Sequence, residues 1–181
     1  MVSQWVNTVR FRVVAIVLGV SLSGGSCPAG ASVQDLPREA MLPLVMATKA
    51  AAAAQDKCRQ DGYRVSVAVV DRAGVLKALV RGDGAGPHTT DSSFKKAYTA
   101  ASLGRTTSEL AELVVKMPSL QGLREMNDKM LILGGGLPID IGGEVVGGIG
   151  VGGAPGTHLD DACAKAGLDS IGAVMKIPAA K

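Results

Sequence analysis

The sequence predicts an α+β sandwich, one domain in which helices pack on a mostly antiparallel sheet. Two observations predict it. Strand-length apolar runs come in close pairs, residues 63–70 with 75–80 and residues 139–141 with 144–151. Each pair is joined by a connection too short for a crossover helix, which leaves the hairpin. Helical patterns precede, separate and follow these pairs instead of alternating with single strands, the order expected of helices layered on an antiparallel sheet.

Pro43 opens the first helical pattern, in which Ala47, Ala50, Ala51, Ala54 and Cys58 recur at three- and four-residue spacing. Lys49, Gln55, Asp56 and Arg59 interrupt it on the wetter side, and Asp61-Gly62 stops it. So small an apolar face implies close packing. Residues 63–70 read YRVSVAVV, a β-branched strand; Asp71-Arg72-Ala73-Gly74 turns the chain, and residues 75–80 return. A polar glycine loop over 81–88 leads to a helix over about 90–103. Thr106 with Glu109 is a capping-box signature for the next helix, which Pro118 ends or kinks. Residues 123–130 fit no single pattern. Residues 130–133 read as a short strand, Gly134-Gly135-Gly136 as a turn, and 139–141 and 144–151 as strands around Gly142-Gly143. Thr157 and Asp160 are expected to cap a last helix over 159–166, closed by Gly167.

Before this domain the chain has a different character. Arg10 and Arg12 precede an unbroken apolar run over 13–20, followed by SLSGGSCPAGA, and no acidic residue occurs before Asp35. That is the order of a secretory signal peptide, and the run is too short to span a bilayer. Ala29-Gly30-Ala31 is an acceptable cleavage site, which divides the chain into a signal peptide over 1–31 and a domain over 32–181. The alternatives are an uncleaved start, or a lipoprotein at Cys27, although Gly24-Gly25-Ser26 lacks the bulky residue expected there. The expected location is the periplasm or the exterior, with no membrane span in the mature chain. Removing Arg10 and Arg12 from the 19 basic residues leaves 17 against 16 acidic ones, so the mature domain is nearly neutral. With no Lys/Arg stripe, nothing points to nucleic acid. Cys58 and Cys163 remain. Pairing and burial as free thiols fit them equally well.

The stretch over 131–161 holds eleven glycines in thirty-one residues and ends in His158, Asp160 and Asp161. Glycine at that density costs folding entropy and persists where turns or close backbone approach require it. Gly148-Ile149-Gly150-Val151-Gly152-Gly153 spells G-x-G-x-x-G, but it lies inside a strand and runs into Ala154-Pro155-Gly156 where a dinucleotide site needs a helix. No glycine cluster is followed by the Lys-Ser/Thr of a P-loop, and no Ser–His–Asp elbow occurs. His88 and His158 are the only histidines, each beside a glycine-proline loop ahead of a helix. An imidazole so placed can ligate haem iron or a divalent metal, serve as an acid/base, or simply meet solvent. His158 with Asp160 and Asp161 resembles a metal half-site, but three side chains on neighbouring turns converge poorly on one ion. Their carboxylates are expected to answer the helix N-terminus instead. Arg81, Lys96 and Arg105, with Lys95, flank the first glycine loop and suit carboxylates such as haem propionates. Lys95 and Lys96 diverge by about 100° on a helix, so at most one faces a pocket and solvent is the default for both. Tyr98 suits a pocket wall or a subunit interface.

Six stretches in order now carry a resemblance. Val67-Ala68-Val69-Val70-Asp71 with Gly74, Arg81-Gly82-Asp83-Gly84-Ala85, Lys96-Ala97-Tyr98-Thr99-Ala100, Gly135-Gly136-Leu137-Pro138-Ile139, Gly148-Ile149-Gly150-Val151, and Asp160-Asp161 resemble the GlcG/HbpS family of haem-binding or haem-degrading domains. The likeness runs over about 44–171, and Gly152-Gly153 stands where many members read Ser-Gly. It implies a roadblock/profilin-like sheet-and-helix fold, assembly into dimers or larger homo-oligomers such as octamers, and haem as a cofactor. It directs attention to His88, Thr89 and Thr90 ahead of the K-A-Y-T-A motif, and to Lys96 and Tyr98 within it. Three functions stay open. One is an exported haem-binding protein for storage, sensing or weak degradation, with iron at His88 or His158. The second is an enzyme using His88 as acid/base on a hydroxy-acid-like metabolite. The third is a non-catalytic assembly module.

Overall fold

The computed structural model describes residues 36–174, so the signal peptide read in 1–31 lies outside the described residues. Two units divide the chain, Met1–Arg38 and Glu39–Lys181, and the second holds every element below. Four α-helices are described: α1 (Leu44–Gln60), α2 (His88–Leu103), α3 (Thr107–Lys116) and α4 (Thr157–Ser170), with a 3₁₀ segment over Pro118–Arg124. The strands are β1 (Ser66–Asp71), β2 (Leu76–Arg81), β3 (Gly136–Ile141) and β4 (Glu144–Gly152). They form one sheet in the order β2-β1-β4-β3. Every pairing is antiparallel, two hairpins joined through β1 and β4.

Alternation along the central strands sorts their side chains into two layers. Val67 and Val69 of β1 and Ile149 and Val151 of β4 face α1 and α4, and with Ala47, Ala50, Ala54, Ala164 and Leu168 they make the main core. Ala68 and Val70 face the other way, onto Ala97 and Ala101 of α2. On that second face β4 presents Gly148, Gly150 and Gly152. A Cβ on Gly148 would strike the carbonyl of Ala97, and one on Gly150 the carbonyl of Ser93 and the amide of Ala97. At Gly148 and Gly150 the backbone of α2 therefore lies directly on β4. The close approach that the glycine density demands is a helix–strand seam.

Several expectations shift against this frame. The first hairpin forms, and Gly74 closes its turn with φ 76° and an amide bonded to the Asp71 carbonyl at 2.9 Å. Residues 130–133 do not form a strand: Met130 and Ile132 are buried, but Ile132 joins Leu110 and Val114 against α3 instead of pairing with the sheet. The last helix does not close at Gly167 but runs to Ser170. Gly167 is a contact glycine, since a Cβ there would sit 2.7 Å from the Ala50 carbonyl of α1. Nor do Thr157 and Asp160 cap it; the N-cap is Gly156, and Thr157 is already the first helical residue. The helix expected from about residue 90 begins at His88, following Pro87. Cys58 of α1 and Cys163 of α4 are paired in a buried disulfide, with Cα atoms 5.5 Å apart. Among the described residues no helix is long and apolar enough to cross a membrane.

Candidate functional site

The glycine seam sets the position of Lys96. It sits on the face of α2 that meets β4, and its side chain is 3% exposed. Nζ donates to the Val151 carbonyl at 2.9 Å and to Asp160 Oδ2 at 2.8 Å. Solvent is thus the wrong default for Lys96, and the right one for its neighbour: Lys95 turns outward to Asp91 at 3.1 Å. Asp160 also accepts the Ala154 amide through Oδ1 at 3.1 Å. Burial pushes the Asp160 carboxyl above its ordinary 3.8, against the opposing pull of Lys96 and of the Ala154 amide. Asp161 accepts the Gly135 amide at 2.7 Å and the Ser108 hydroxyl at 2.5 Å. Asp160 lies in the first turn of α4 and reaches back to the Ala154 amide just ahead of the N-cap, as expected of an acid at a helix N-terminus, whereas Asp161 turns sideways to Gly135 and Ser108. Together they tie α4 to α2, α3 and the two glycine turns that flank the β3–β4 hairpin.

Above the pair opens a cleft of about 290 Å³, lined by His88, Ser92, Lys96, Gly153, Pro155 and Asp160 among others. His88 is exposed, with its ring folded over Gly86. His158 is exposed on the first turn of α4, its ring over Gly156. Among the described residues no three His, Cys, Asp or Glu side chains gather into a group fit to hold a metal ion. Arg81 is exposed and spends its guanidinium on the Ala85 carbonyl, at 2.6 and 3.1 Å, bracing the glycine loop. Arg105 is exposed on the connection between α2 and α3. The structure thus brings His88 and Lys96 to one cleft and leaves Arg81 and Arg105 outside its lining.

Tyr98 lines a different and larger concavity. It is an open groove of about 580 Å³ between the β1–β2 hairpin and the outer flank of α2, bounded by Val75, Leu76, Leu79, Phe94, Tyr98 and Lys129 among others. The phenol ring presses on the turn, where a Cβ on Gly74 would lie 2.5 Å from Cε2. Lys129 Nζ stands 5.6 Å from the ring centroid, within cation–π range. Sequence reasoning missed Leu76, Leu79, Phe94 and Lys129. Leu76 and Leu79 are each 43% exposed because β2 lies at the edge of the sheet, a placement that the local pattern does not carry.

A family model described as haem degrading protein HbpS-like matches residues 42–169. A crystal structure of a double mutant of HbpS from Streptomyces reticuli superposes with TM-score 0.71 at 43% identity, covering 80% of this chain and 97% of that one. Protein GlcG of Escherichia coli is 33% identical over 118 residues, 61% of this chain and 81% of its own length. A crystal structure described as a PduOC:heme complex superposes with TM-score 0.69 at 26% identity, covering 75% and 99% of the two chains. The matched span runs from the residue before Pro43 to the last turn of α4, the whole of the sheet and every helix on it, and the chain belongs to the HbpS-like haem-degrading protein family.

Proposed function

We propose that this protein is an exported haem-binding protein, working as a homo-oligomer, and that the groove at Tyr98 receives the macrocycle. The observation that carries this reading is the shape and lining of that groove. Haem is a broad, flat, largely apolar ring with carboxylates on one edge. The groove offers about 580 Å³, apolar walls from β2 and α2, two aromatic rings, one ammonium group, and one carboxylate, Asp91, which pairs with Lys95. The cleft at His88, where the sequence directs attention first, offers about half that volume and walls of glycine and charge. When bound, haem supplies iron redox and oxygen chemistry of its own. This chain supplies Leu76 and Leu79 as an apolar bed, Phe94 and Tyr98 for stacking, and Lys129 for a propionate. Membership of the family and the likeness to a haem complex support the ligand. The Cys58–Cys163 disulfide supports export, since such bonds persist in oxidising compartments.

Haemin titrated into the purified protein tests this. A saturable Soret shift at one haem per chain is expected, lost in Leu79→Asp and weakened in Tyr98→Ala, with His88→Ala and His158→Ala still saturating. Loss in His88→Ala with the groove variants intact would move the site to the smaller cleft. No saturable shift in the parent protein would remove haem altogether.

A further inference from the structure

One buried nucleophile plays no part in the haem reading. Taking Lys96 and Asp160 out of water costs both groups their solvation, and apolar residues of similar size often hold a fold as well or better. The two side chains are only 3% and 4% exposed, yet both residues form part of the wall of the cleft of about 290 Å³, beside His88 and Ser92. That volume lies at the low end for ligand sites and suits a molecule of a few carbons. Gly152, Gly153 and Gly156 supply part of the cleft wall as bare backbone.

We infer that Lys96 is a Schiff-base lysine and that this cleft takes a small carbonyl compound, an aldehyde or a 2-oxo acid. Asp160 Oδ2, 2.8 Å from Nζ, accepts a proton from the ammonium and leaves a neutral amine held in place by the Val151 carbonyl at 2.9 Å. The nitrogen lone pair forms a bond to the carbonyl carbon, and the displaced π pair on oxygen takes the proton back from Asp160. Asp160 then removes a second proton from nitrogen and delivers it to the hydroxyl, which leaves as water as the C=N bond forms. An ammonium and a carbonyl have become an iminium and a water, Asp160 is again a carboxylate, and nothing has been oxidised or reduced. The Ala154 amide on Oδ1 at 3.1 Å keeps Asp160 turned toward the amine throughout.

Borohydride trapping tests the inference. The purified protein is incubated at low concentrations of propanal or of glyoxylate, reduced with borohydride, and peptide-mapped by mass spectrometry. The expected result is a reduced adduct at Lys96 in preference to the exposed Lys116 and Lys165, absent without the carbonyl. The better-trapped probe identifies the class, aldehyde or oxo acid. Adducts confined to exposed lysines, or none, would overturn the assignment. Asp160→Asn should lose the adduct while keeping the parent circular dichroism; undiminished trapping in that variant would overturn the proton-transfer role. Should Asp160→Asn fail to fold, the adduct map of the parent protein decides alone.

Discussion

A glycine in β4 is worth more to this fold than a larger residue, because its missing side chain is where α2 sits. Gly150→Ala puts a methyl group against the Ser93 carbonyl and the Ala97 amide, two backbone groups that cannot swing aside. Overpacking of this kind costs about 1–3 kcal/mol, so urea unfolding should show a clear drop in midpoint. Gly122 meets nothing within 4 Å, and Gly122→Ala should leave the midpoint almost unmoved. Asp160 makes a second prediction at this scale. Its carboxyl is raised above 3.8 by burial, so the folded state holds the proton more tightly than the unfolded chain. The stability this group contributes is therefore complete below 3.8 and lost as pH rises through the folded value, the reverse of an ordinary surface carboxylate. The groups facing it are Lys96, the Ala154 amide and Asp161; the first two pull the other way and limit the effect, while the like charge of Asp161 adds to it. Unfolding free energies of the parent minus those of Asp160→Asn should fall with pH from about that point. A difference that rises instead would show Lys96 outweighing burial.

Helix α1 packs on α4 through alanine and cysteine, and the disulfide replaces the bulk that such small side chains lack. Cys58 and Cys163 are 105 residues apart in sequence, so the bond constrains nearly all of the unfolded domain. On loop-closure grounds, replacing both with serine should cost up to about 5 kcal/mol, read as a shift in urea midpoint that reductant reproduces in the parent protein. At this scale the sequence was most legible where a period is written locally. The alanine spacing of α1, the capping box at Thr106 and the two hairpins need only neighbours to be read, and the Thr106 hydroxyl does accept the Glu109 amide at 3.1 Å. Residues 130–133 misled because their alternation is real but serves burial against α3, and a local pattern cannot say whether a partner strand exists. Gly167 misled for a related reason: a glycine that ends a helix and one that lets a helix approach look alike in sequence. The Lys96–Asp160 pair spans 64 positions, and only the fold brings its members together. His88 and Lys96 were legible as candidates. The Tyr98 groove was not, since it depends on which edge of the sheet β2 occupies.

Taken whole, the domain is two hairpins clamped between α2 on one side and α1 with α4 on the other. If it is exported, the mature protein recovered from outside the cytoplasm should begin near Ser32, which intact mass will show directly. Such a chain would contain no tryptophan, because Trp5 is the only one, so unfolding is better followed by tyrosine emission or circular dichroism. The bond between Cys58 and Cys163 has one more effect. It closes a covalent ring that includes the whole sheet and both middle helices. A protease that cuts once inside that ring, at the Arg81–His88 loop or in the segment after Arg124, opens the chain without releasing a fragment. On a non-reducing gel the nicked protein should run close to full length, separating into two pieces only when reductant is added. Outside the cell, where proteases are common and reductants scarce, a single cut would scar this protein and leave it in one piece.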